Sequence, residues 1–99
     1  MSGPDNQDPS ETVVREFVVR NKYGIHARPA ALLVKTAAKF NCDITIEKEG
    51  MTIAGKSIMG LLTLEAHPDS VLTLTFIGPD AQPAAAALTE LFENNFYED

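Results

Sequence analysis

Residues 24–40 read GIHARPAALLVKTAAKF, and this stretch decides the fold. Ahead of it, residues 12–20 (TVVREFVVR) are β-branched, with Phe17 and Val19 on one side of an alternation, the pattern of a strand. Residues 21–24 make a turn. From Pro29 to Phe40 the apolar spacing becomes helical: Leu33, Ala37 and Phe40 form one stripe, and Lys35 and Lys39 sit off it. Pro29 suits a first turn, where no intrahelical N–H is needed, and Asn41 suits a C-terminal stop. Residues 43–48 then alternate Ile44 and Ile46 with polar side chains, a second strand. A strand–helix–strand unit of this kind is a crossover, with another strand expected between its two strands.

Working outward, Glu49-Gly50 punctuates the second strand, and residues 51–53 read as a short third strand in a hairpin. Residues 57–64 (SIMGLLTL) fit either a short helix capped by Ser57 or a buried strand; the cap and the length favour the helix. A loop at 65–69 leads to a fourth strand at 71–77, with Leu72, Leu74 and Phe76 on one face. Asp80 can cap a last helix with Pro83 in its first turn, running to about Asn95 with the stripe Ala84, Leu88, Leu91 and Phe92. The order is β-α-β-β-α-β-α. It predicts an α+β domain, one sheet with a single buried side under three helices, and by itself it also fits a ferredoxin-like variant. Residues 1–11 read as a disordered tail ahead of a domain over 12–99.

Composition narrows the classes. The 99 residues (10.7 kDa) are 44% hydrophobic and 22% charged, enough for one modest core. No run of eighteen apolar residues exists, and the first ten residues lack the basic and apolar parts of a secretory signal; the cytoplasm is the expected compartment. One cysteine, Cys42, excludes an internal disulfide and is expected to be a small buried or half-buried residue. With only His26 and His67 beside it, no metal is expected, and no cofactor.

The net charge of −6 is unevenly distributed. Residues 1–12 carry three acids and no base, residues 13–60 carry eight bases and four acids, and residues 61–99 carry seven acids and no base. Either the sorting is chance and the bases are simply solvated, or the middle of the chain presents a locally positive face on an acidic body. Such a face suits a phosphorylated or acidic protein. Nucleic acid is not an expected partner, because the whole-molecule potential repels it and no Arg-rich or aromatic ladder occurs.

The chemistry concentrates at His26, just before the proline-started helix. The first amides of a helix lack internal partners and carry partial positive charge. An anion beside His26 would meet those donors and the guanidinium of Arg28. Neutral imidazole is nucleophilic, and a ring nitrogen can take a phosphoryl group. Phosphoryl transfer asks mainly for placement and charge neutralisation, which this layout offers, and Gly24 lets the backbone bend close to the site. The plainer alternative is a helix-flanking histidine beside a solvated arginine. An autonomous hydrolase is disfavoured, because no nucleophile–base set or carboxylate pair accompanies His26.

GIHARPAALLVKTAAKF followed by GKSIMGLLTL resembles the HPr family of histidine-containing phosphocarriers of the bacterial sugar phosphotransferase system. The resemblance covers residues 13–96 and includes the Gly78-Pro79-Asp80 lead into the last helix. It implies an open-faced β-sandwich, with a four-stranded antiparallel sheet covered on one face by three helices. It implies phosphorylation of His26 at Nδ1 by enzyme I, attended by Arg28, and onward transfer to EIIA domains of sugar permeases. It implies regulatory phosphorylation of Ser57 by an HPr kinase/phosphorylase, a role compatible with Ser57 as a plain N-cap. The partner-binding surface it implies is Ala27, Ala31, Lys35, Lys56, Ile58 and Met59. Ile58 and Met59 could instead be core; an exposed thioether at Met59, ringed by Lys35, Lys39 and Lys56, suits a surface that meets several partners.

A monomer without membrane insertion is expected. Residues 65–69 (EAHPD) depart from the family, where glycines are common in this turn, which puts the turn geometry in doubt. His67 reads as a solvated loop residue. Two competing roles remain: a regulatory HPr-like binding module in which His26 is idle, and a carrier of the nitrogen-related branch.

Overall fold

The computed structural model describes residues 11–98, so the tail expected over 1–11 lies, apart from Glu11, outside the described residues. Strand β1 (Thr12–Val18) leads to helix α1 (Ala27–Ala37), strands β2 (Asp43–Lys48) and β3 (Met51–Ala54), helix α2 (Ile58–Leu64), strand β4 (Val71–Ile77) and helix α3 (Ala81–Glu93). A short 3₁₀ turn, Asn95–Tyr97, follows.

The sheet order is β1-β4-β2-β3, every neighbouring pair antiparallel, so β4 is the strand inserted between the two strands of the first crossover. Period-two alternation puts Val13, Phe76 and Ile44 in one row across three strands, with Leu74 and Ile46 paired in the next. These side chains are buried against Leu33 of α1, Leu61 of α2 and Leu88 of α3. Each fully buried side chain of this kind contributes about 1.5–3 kcal/mol relative to exposure. The opposite face carries Val14, Glu16, Thr45 and Glu47 into solvent. The architecture is therefore the open-faced sandwich the sequence implied. Residues 57–64 resolve as the capped helix: the Ser57 hydroxyl accepts from the Gly60 amide at 3.0 Å.

Four local differences have physical causes. α1 starts two residues before Pro29, because the first-turn positions need no N–H donor. It ends at Ala37, not Phe40, because the chain tightens there: Lys39 N–H donates to Thr36 O and Phe40 N–H to Ala37 O, both at 3.2 Å. β1 stops at Val18, yet Val19 still pairs through its amide with Ser70 O at 2.9 Å. Asp80 occupies the N-cap position of α3, but its carboxylate accepts from the Asn41 amide at 2.7 Å instead of capping its own helix.

Cys42 is buried, as expected. Its thiol is pushed up first by burial; Lys56 opposes this, while Asp80 and Asp43 add to it. Among the described residues no helix is long and apolar enough to cross a membrane, and no group of three or more His, Cys, Asp or Glu side chains could hold a metal ion.

Candidate functional site

His26 is the N-cap residue of α1, with extended backbone (φ −86°, ψ −168°). Its carbonyl accepts the first helical bond, from Ala30 N–H at 2.9 Å, while its side chain caps nothing. Pro29 has no N–H, so the amides left open at this end are those of Ala27 and Arg28. The imidazole is freed from capping its own helix and stands beside a partial positive charge.

The turn leading in is fixed by Gly24. Its φ of +73° is left-handed, and a Cβ there would strike the Ala66 carbonyl and come within 2.8 Å of His67 Cα. That close approach lets Ile25 N–H donate to Ala66 O at 2.8 Å. One bond therefore ties the His26 turn to the loop after α2. In the 65–69 turn, Glu65 (φ 52°) and Asp69 (φ 74°) adopt left-handed conformations without glycine.

The histidine side chain is 39% exposed, but not evenly. Nε2 is shielded from solvent and lies 3.2 Å from Glu98 Oε2, close enough for an ion pair but off the line of a hydrogen bond. Nδ1 is not sealed in the same way. Tyr23 lies edge-on, 6.2 Å between centroids, with the Lys22 ammonium over its ring. A groove of about 280 Å³ runs past His26 between Tyr23, Leu62, Glu65 and His67. Round the other side, a cavity of about 550 Å³ is lined by Lys22, Arg28, Tyr97 and Glu98. Arg28 and Lys22 share this cavity with Glu98, the residue that faces Nε2.

The remaining expected residues separate into groups. Ala27, Ala31 and Lys35 are exposed on α1. Met59 is 73% and Ile58 40% exposed, so neither is core, and Leu62, 37% exposed, extends the apolar strip toward His26. Lys56 belongs to the far end: its ammonium donates to Phe40 O at 2.9 Å, beyond the C-terminus of α1. Eleven residues of helix put roughly 16 Å between that end and His26. Lys35 and Lys39, like Lys56, are exposed at that end of α1. His67 is solvated, but it also lines the His26 groove and bonds the Ser70 hydroxyl at 3.1 Å. Leu62 was legible as the helical neighbour of Ile58 and Met59; Glu98, far along the chain, carried no local signal.

The fold and the partly exposed histidine at the N-cap position of α1 define the class: an open-faced α+β sandwich with an imidazole at a helix entrance. Residues 13–94 match the family described as "PTS HPr component phosphorylation site". The chain is 44% identical over 84 residues to the phosphocarrier protein HPr of Xylella fastidiosa strain 9a5c, covering 85% of this chain and 94% of that one. It is 40% identical over 87 residues to HPr of Treponema pallidum, covering 88% and 99%. The crystal structure of HPr-C-His from Thermoanaerobacter tengcongensis superposes with a TM-score of 0.85 at 40% identity, covering 88% of this chain and 98% of that one. The chain belongs to the HPr family, the phosphocarriers of the phosphotransferase system, which carry phosphoryl groups and are not catalysts.

Proposed function

We propose that this protein accepts a phosphoryl group from phosphorylated enzyme I on Nδ1 of His26 and passes it to EIIA domains during sugar uptake in the cytoplasm. The observation that carries the reading is the state of the imidazole. The ring is partly exposed at the start of α1, and Nε2 is covered by Glu98. The Nδ1 lone pair attacks phosphorus, the bond between phosphorus and the donor atom breaks, and its electron pair stays on that donor atom. The Ala27 and Arg28 amides and the Arg28 guanidinium neutralise the oxygens in transit.

Partners dock on the strip Ile58, Met59 and Leu62, together with Ala27 and Ala31, with Lys35 and Lys56 steering acidic surfaces toward it. A carrier must bind and release, which a small strip with charge steering serves better than a large apolar interface. Phosphorylation of Ser57 by an HPr kinase would displace the cap to Gly60 and set close to two negative charges beside Ile58 and Met59. That change lowers docking without unfolding the domain. An idle-histidine regulatory module is disfavoured by the openness of the ring.

Incubation with enzyme I and phosphoenolpyruvate tests this. One acid-labile phosphate per chain is expected, absent in His26→Ala; equal incorporation in that variant would refute it.

A further inference from the structure

Resting on the proposed acceptor role of His26, we infer that Glu98 is a positioning residue that holds the proton on Nε2 and so reserves Nδ1 for phosphorus.

The inference starts from Asn21, which is 3% exposed, and a buried amide needs partners. Its Nδ2 donates to Asn95 O at 3.0 Å and to Glu98 Oε1 at 2.8 Å, so both amide hydrogens are spent on the C-terminal segment. That segment is turned back against local preference: Asn95, Phe96 and Tyr97 all have φ between 51° and 59° without a glycine among them. The turn persists because Phe96 is buried edge-on against Phe92, which stacks on Phe17 at 4.3 Å. An aromatic anchor and a buried amide thus fix the one carboxylate oxygen left over, Oε2, at 3.2 Å from Nε2. A small rotation of the ring aligns the N–H with it; such contacts commonly tighten only when the reaction partner is bound.

The chemistry explains why that placement matters. A carboxylate at Nε2 favours the tautomer with its proton there, which leaves the lone pair on Nδ1. When Nδ1 takes the phosphoryl group, the ring becomes an imidazolium with the proton still on Nε2. Glu98 then faces the positive charge as it develops, from the edge opposite the phosphate. Because Glu98 is partly exposed, the effect is smaller than in a buried triad.

A small donor, potassium phosphoramidate, tests this without any partner protein. The Nδ1 lone pair attacks phosphorus, the P–N bond of the reagent breaks, and ammonia leaves with the electron pair. Nitrogen-15 and phosphorus-31 NMR on the full chain distinguish the Nδ1 from the Nε2 phosphoramidate. The wild type should react at Nδ1, and the Nε2 product should rise about fivefold or more in Glu98→Ala and in Asn21→Ala. Glu98→Gln keeps the size of the side chain in case alanine loosens the turn; its kcat for transfer from enzyme I should fall about three- to tenfold at unchanged KM. An isomer ratio equal to wild type in both Glu98→Ala and Asn21→Ala overturns the inference. A wild type that reacts at Nδ1 with phosphoramidate yet takes nothing from enzyme I would instead refute the proposed function.

Discussion

Replacing Gly24 with alanine probes how tightly the histidine's turn is built into the fold. Three costs follow from the structure. The residue has φ +73°, a left-handed conformation that costs an L-residue about 1–2 kcal/mol. The new methyl meets the Ala66 carbonyl and His67 Cα, backbone atoms that cannot rotate aside, so a shift of the loop adds about 1–3 kcal/mol. That shift strains the Ile25 N–H to Ala66 O bond, worth about 1 kcal/mol. Reduced freedom of the unfolded chain returns about 0.4–1 kcal/mol. The expected loss is about 3 kcal/mol, read as a lower urea midpoint at unchanged slope. Gly50→Ala is the control: its φ is +86°, but nothing lies within 4 Å of the added carbon, so only the conformational cost remains, about 1 kcal/mol. The difference of about 2 kcal/mol isolates the close approach. Equal losses in the two variants would refute this account of the turn.

Other perturbations test separate parts. Glu65→Gly relieves a left-handed residue at the C-terminus of α2 and should stabilise by about 0.5–1 kcal/mol, a rise of a few degrees in Tm; a fall would show that the Glu65 side chain does something the structure does not reveal. Met59→Glu should leave stability within about 0.5 kcal/mol, since the side chain is largely in solvent, while raising KM for enzyme I. An unchanged KM would remove Met59 from the docking strip. Because burial raises the Cys42 thiol, less thiolate is present at any given pH. Its reaction with a disulfide reagent at pH 8 should be slower in the folded protein than in urea. Equal rates would contradict the burial.

The fold was legible because its elements obey simple periods. β2, β4 and the stripe of α3 are read correctly from alternation or helical spacing, and the Ser57 cap resolves the one ambiguous segment. Element ends were less legible where tertiary partners decide them, as with Asp80, drawn to the Asn41 amide, and the tightened turn after Ala37. At the site, His26, Arg28 and Gly24 stand in one local motif and were visible. The bond of Lys56 to Phe40 O was not legible, because sequence proximity to Ile58 and Met59 does not reveal a partner sixteen residues back. Glu98 was invisible: only the buried Asn21 and a left-handed turn built on Phe96 bring it to the imidazole.

A carrier differs from a dead-end phosphoprotein in giving its phosphate back. The labelled protein, freed of donor, should therefore be offered unphosphorylated enzyme I and pyruvate. Return of the label to phosphoenolpyruvate is the result a transferable phosphoryl group on the His26 imidazole demands. Label that stays on the chain, survives acid and maps to a hydroxyl side chain would contradict it.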